Sequence, residues 1–168
     1  MIKKISEQNL LIFLLSSSIL ALVLVYISQY FFGLLPCQLC FWQRKPFFAI
    51  IILSMLFLSI PQLKKYQNWG IKIVVLLLLV NSFIAFYHFG VEQKWFLGLE
   101  SCSSFALDAN NIEELRLALE NTKAVRCDIP QFVFLGLSMA GWNFIYCLFL
   151  ACFTIFALLI KLKGTSKK

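Results

Sequence analysis

Apolar and polar residues fall into long blocks along this chain. Apolar runs extend from Leu10 to Leu35, from about Leu39 to Ile60, from Ile71 to Phe89 and from about Leu137 to Ile160. Each is close to the roughly 20 residues a helix needs to cross about 30 Å of hydrocarbon. A single integral membrane domain over 1–168 with four spans is the expectation. The second run needs an argument, because Phe47 to Ile60 supplies 14 residues, about 21 Å of helix. Starting near Leu39 restores the length and brings Arg44, Lys45 and Pro46 inside the helix. The two cations then snorkel to the outer interface, and Pro46 leaves the Trp42 carbonyl without its helical partner. A kink is expected there, with Cys40 in the first turn.

The polar block from Gly90 to roughly Gly136 is too polar for the bilayer and too short for a domain with its own core. Within it Asn111-Ile112-Glu113-Glu114 reads as a helix cap, after which Ile112, Leu115 and Leu119 share one face. That predicts a short helix lying on the membrane surface, either solubilising the loop or docking a partner. The predicted fold class is an all-α membrane protein, a four-transmembrane-helix bundle with two external loops, the second carrying the short interfacial helix.

Composition agrees: 61% of the 168 residues are hydrophobic and 14% charged, too few polar residues to cover a soluble globule. Lys3 and Lys4 precede the first run as in a signal peptide. The run exceeds the about 7 to 15 residues of a signal core and no small-residue cleavage site follows, so it is expected to remain. The net charge of +7 could suggest nucleic acid, but interleaved with spans it reports orientation. No nucleic-acid partner is expected, and membrane lipid is.

Lys3, Lys4, Lys64, Lys65, Lys72, Lys161, Lys163, Lys167 and Lys168 lie on one face, nine against the six of Arg44, Lys45, Lys94, Arg116, Lys123 and Arg126. The richer face is read as cytoplasmic, with both termini on it. Cys37, Cys40, Cys102 and Cys127 then face outward, which in a bacterium is the periplasm, where disulfides persist.

A Cys-x-x-Cys at a helix start is reactive because the positive end of the helix dipole favours the thiolate, the attacking species. Two alternatives stand beside a redox role. Two cysteine pairs could supply zinc thiolates, but 24 residues separate Cys102 from Cys127 and neither lies in a knuckle. The pairs could also merely brace the loops. Arg44, four residues after Cys40, shares its helical face and is a fixed cation beside the sulfur; the plainer reading is a snorkelling arginine. His88 has Glu92 one turn later and is either a ligand-binding group or an interface histidine paired with that carboxylate. Phe41, Trp42, Trp95 and Phe96 could wall a bound ligand, but an interfacial aromatic belt is the better reading. Cys147 and Cys152, about 140° apart on one helix, read as buried small apolar residues. Asn81 reads as packing glue between helices.

Pro36-Cys37-Gln38-Leu39-Cys40-Phe41-Trp42-Gln43-Arg44, Tyr87-His88-Phe89-Gly90-Val91-Glu92, Glu100-Ser101-Cys102-Ser103, Arg126-Cys127-Asp128 and Leu135-Gly136-Leu137-Ser138-Met139-Ala140-Gly141-Trp142-Asn143, in this order among the spans, closely resemble the bacterial disulfide-bond formation protein B (DsbB) family. The resemblance covers nearly the whole chain. It implies a quinone-dependent protein-thiol oxidase of the inner membrane that takes electrons from a DsbA-like periplasmic dithiol oxidase. It further implies that Cys102 forms the mixed disulfide with the partner, that Cys127 then attacks Cys37, and that Cys40, freed as a thiolate under Arg44, donates to ubiquinone or menaquinone. His88 is implied near the quinone, and no metal is implied. The vitamin K epoxide reductase type of enzyme carries its quinone-side Cys-x-x-Cys on a late helix, whereas here the motif opens the second span.

Overall fold

The computed structural model describes residues 6–98 and 126–165. Four helices dominate: α1 (Glu7–Phe31), α2 (Gln38–Ser59), α3 (Gln67–Glu92) and α4 (Met139–Thr165). Each is long and apolar enough to cross a membrane. The chain is a four-helix membrane protein. Alternating direction puts the α1–α2 connection, the end of α3 and the start of α4 at one end of the bundle. The start of α1, the 3-10 turn Pro61–Tyr66 and the end of α4 share the other, where Lys161 pairs with Glu7.

Helix α1 stops at Phe31, short of the Leu35 expected from hydropathy, because Gly33 adopts φ +65°, a left-handed conformation that turns the chain out of the helix. Helix α2 runs through Pro46, with Cys37 as its N-cap residue. Helix α4 starts at Met139 because Leu137–Ser138 (β2) pairs antiparallel with Val133–Phe134 (β1). Leu135 and Gly136 between them take φ +52° and +80°, the two left-handed residues of a tight hairpin turn. This hairpin is a feature that apolar blocks do not announce. The interfacial helix expected around 111–119 lies outside the described residues.

Lipid tails are as apolar as leucine, so hydrophobicity alone does not hold such helices together; close packing and interhelical hydrogen bonds do, the latter at about 0.6 kcal/mol each. Leu11, Leu14, Ile50, Ile71, Leu78 and Leu150 form the buried centre. Around it the Tyr146 hydroxyl donates to the Ser17 carbonyl at 2.9 Å and the Ser82 hydroxyl to the Phe144 carbonyl at 3.4 Å. The outer faces, with Leu20, Ile52, Leu76 and Phe149 exposed, suit lipid.

Candidate active site

At the end of the bundle where α2 begins, the Cys37 sulfur accepts the Cys40 backbone N–H at 3.3 Å. Cysteine here takes the place of the usual Ser or Asp cap, satisfying one of the orphan amides of the first turn. The two sulfurs stand 2.9 Å apart. The Cys40 thiol, His88 and the Cys40 amide together draw the Cys37 thiol below its ordinary range, against the opposing effect of burial.

His88, near the end of α3, is buried and meets Cys37 directly: its Nε2 is 3.5 Å from the Cys37 sulfur and 3.7 Å from Glu92 Oε1. Its Nδ1 is 2.8 Å from Gln43 Nε2, and Gln43 Oε1 accepts from Asn143 Nδ2 at 2.7 Å. Three helices therefore converge on one imidazole.

Cys127 is disulfide-bonded and fully buried, packing in one cluster with Cys37 and Leu39, against which Cys40 and Tyr87 also lie. Its loop is pinned on both sides. Asp128 takes two bonds from Arg126, at 2.9 and 2.7 Å, and one from Lys94 at 2.6 Å, contacts that hold its carboxyl well below the usual carboxylate range. Gln131 Nε2 donates to the Leu35 carbonyl at 2.7 Å, tying this loop to the one ahead of Cys37.

A cavity of about 400 Å³ opens beside the cysteines, with Cys37, Cys40, Arg44 and His88 on its polar side and Leu24, Phe47, Met139, Trp142 and Tyr146 among its apolar walls. Arg44 is buried, donates to Gln29 Oε1 at 2.9 Å and lies 5.2 Å over the rings of both Tyr26 and Phe41. Its Nε has no hydrogen-bond partner among the described residues. Arg44 is thus fixed in the wall and does not snorkel to water.

The structure brings Cys37, Cys40, Arg44, His88 and Cys127 to one place, while Cys102 lies outside the described residues. Gln29, Gln43 and Asn143 were not singled out from sequence; Gln43 and Asn143 stand inside the motifs quoted above, but amides give no chemical signal until their partners are known. The exposed rings of Phe41, Trp42, Trp95 and Phe96 are not in the cavity wall. Cys152 is exposed toward the lipid side, which corrects its reading as buried. Cys147 is buried but not merely apolar: it accepts from Asn81 Nδ2 at 3.3 Å and donates to Asn143 Oδ1 at 3.4 Å.

Cys37, Cys40 and His88 offer three soft donors within 4.8 Å of one another. Two thiolates on one tetrahedral zinc, each at about 2.3 Å, lie about 3.8 Å apart. Sulfurs at 2.9 Å suit a dithiol–disulfide couple better.

The family model described as "Disulfide bond formation protein DsbB" matches residues 7–157. "Uncharacterized protein RP370" of Rickettsia prowazekii (strain Madrid E) is 30% identical over 169 residues, covering 99% of this chain and 95% of that one. No solved structure matches.

Proposed function

The chain belongs to the disulfide bond formation protein DsbB family, a family of disulfide-forming oxidoreductases, and from that premise we propose that it reoxidises a DsbA-like periplasmic thioredoxin-fold protein and passes the electrons to membrane quinone. The observation that carries this reading is the position of Cys37, buried in one cluster with Cys127 and at the same time lining the apolar cavity.

In the proposed sequence a partner thiolate attacks Cys102, forming a mixed disulfide and expelling the Cys127 thiolate. Cys127 attacks Cys37; a Cys127–Cys37 bond forms, the Cys37–Cys40 bond breaks, and the electron pair leaves on Cys40. The second partner thiolate meanwhile releases the partner as its disulfide and Cys102 as a thiolate. Cys102 then retakes Cys127 and frees Cys37 to rejoin Cys40. When bound, ubiquinone or menaquinone supplies the sink for two electrons and two protons. The apolar walls fit its ring and tail, and the unpartnered Nε of Arg44 fits a carbonyl oxygen. Partners of this kind are strong oxidants near about −120 mV, and an ordinary structural disulfide below about −300 mV would face a gap of about 180 mV, or about 8 kcal/mol, in oxidising one. A disulfide that only braces a loop does not overcome that gap.

Family membership supports a bacterial inner-membrane location, and the Lys and Arg distribution supports both termini on the cytoplasmic side with the cysteine pairs on the periplasmic side. Replacing Cys127 by Ser tests the relay. The expected result is a Cys102–partner mixed disulfide when the thioredoxin-fold partner is supplied as its disulfide, which the Cys102 thiolate attacks with release of the partner's second thiolate. A trapped adduct on Cys127 in Cys102→Ser, and none in Cys127→Ser, reverses the two roles.

A further inference from the structure

A single line of hydrogen bonds crosses the bundle from the middle of α3 to the active site. Asn81 Nδ2 donates to the Cys147 sulfur at 3.3 Å, Cys147 to Asn143 Oδ1 at 3.4 Å, and Asn143 Nδ2 to Gln43 Oε1 at 2.7 Å. The last link joins Gln43 Nε2 to His88 Nδ1 at 2.8 Å. Nothing in the cysteine relay requires it, yet every link is buried or partly buried.

The line has a direction. With its oxygen taken by the Cys147 thiol, Asn143 turns its NH₂ to Gln43. With its own oxygen thereby filled, Gln43 turns its NH₂ to His88. An imidazole nitrogen that accepts a hydrogen bond carries no proton, so neutral His88 must hold its proton on Nε2. Glu92 asks for the same arrangement from the other side, because its Oε1, an acceptor, stands 3.7 Å from Nε2. The reverse tautomer would set the Nε2 lone pair against both Glu92 and the Cys37 sulfur.

We propose that Gln43 and Asn143 are positioning residues that lock His88 in its Nε2–H tautomer, presenting that N–H to the Cys37 sulfur as a hydrogen-bond donor to the thiolate it becomes. This rests on the redox reading of Cys37 above. The step served is the one in which Cys102 attacks Cys127 of the Cys127–Cys37 bond. The Cys102–Cys127 bond forms, the Cys127–Cys37 bond breaks, and the electron pair goes to the Cys37 sulfur. No proton moves; the Nε2–H holds the new anion in place.

His88 is the only histidine in the chain, so histidine labelled with ¹⁵N reports one imidazole. In the native protein in detergent, at a pH where the ring is neutral, the expected spectrum shows an unprotonated Nδ1 and a protonated Nε2. Gln43→Glu offers Nδ1 a carboxylate acceptor in place of a donor and should move a proton onto Nδ1. A second readout is the alkylation rate of the Cys37 thiolate in a Cys40→Ser background. Asn143→Leu and Gln43→Glu should each slow it about two- to tenfold, the worth of one hydrogen bond, and Cys152→Ala should not change it. A protonated Nδ1 in the native protein overturns the proposal even if Asn143→Leu fails to fold. An unchanged spectrum in Gln43→Glu, or unchanged alkylation in both variants, overturns it too. Neither measurement uses partner or quinone, so a native Nε2–H spectrum in a protein that fails to oxidise a dithiol would count against the proposed function alone.

Discussion

Replacing Arg44 by Met removes the buried cation of the cavity wall while keeping much of the side chain's apolar stem. Three attachments are lost: the bond to Gln29 at 2.9 Å and the two ring contacts at 5.2 Å. A charged hydrogen bond is worth about 1.5–3 kcal/mol and a buried cation–π contact about 2. Against this, the substitution relieves the several kcal/mol that burying a guanidinium costs when no carboxylate among the described residues pairs with it. The bundle should therefore tolerate the change. The proposed quinone would lose what the fold does not: a charge-assisted bond from Nε, about 1.5–3 kcal/mol, expected as an increase in quinone KM of about ten- to a hundredfold. Arg44→Lys should fall between, since a point charge survives without the planar fork. Gln29→Leu should shift KM the same way by less, through loss of the acceptor that orients the guanidinium. The assay is stopped-flow quinone absorbance run beside acid-quenched partner redox state, the latter expected to be little changed in a single turnover. Native quinone rate and KM in Arg44→Met would refute the reasoning and leave Arg44 a structural residue.

Two further outcomes are expected. After reduction of intact cells, a membrane-impermeant thiol reagent should label Cys37 or Cys102 but not a cysteine introduced at Ser59; labelling at Ser59 alone inverts the topology. The Asp128 cluster should loosen in acid. Its carboxyl is held below the usual range by Arg126 and Lys94, so its stabilisation is present above the unfolded value near about pH 4 and is lost as pH falls through the lower folded value. Hydrogen exchange of the segment 126–132, corrected for intrinsic rate, should rise in strong acid, and Asp128→Asn should show that rise at neutral pH. Protection independent of both would contradict it.

The four spans were legible because lipid imposes length and apolarity on every helix that crosses it. The same uniformity hid which face of each helix points inward. Cys147 and Cys152 look alike in a run that is apolar all round, yet one is buried and hydrogen-bonded and the other exposed. Length arguments also missed the turn at Gly33 and the hairpin at Leu135–Gly136, which depend on backbone conformation. At the site, Cys37, Cys40, Cys127 and Arg44, which meet at one end of the bundle, were singled out by type and spacing. His88 was legible as a polar residue at the right level, but its contact with Cys37 depends on α2 and α3 meeting across 51 positions. Gln43 and Asn143 acquire meaning only when α2, α3 and α4 close around the imidazole, a condition that no local pattern encodes.

The most direct test of the central claim uses the purified protein in detergent, given a reduced thioredoxin-fold dithiol and quinone with oxygen excluded. Catalytic quinone reduction is predicted, one quinol per partner disulfide formed, abolished by Ser at any one of Cys37, Cys40, Cys102 or Cys127. Partner oxidation without quinone reduction, or quinone reduction that survives loss of Cys37 and Cys40, would contradict it.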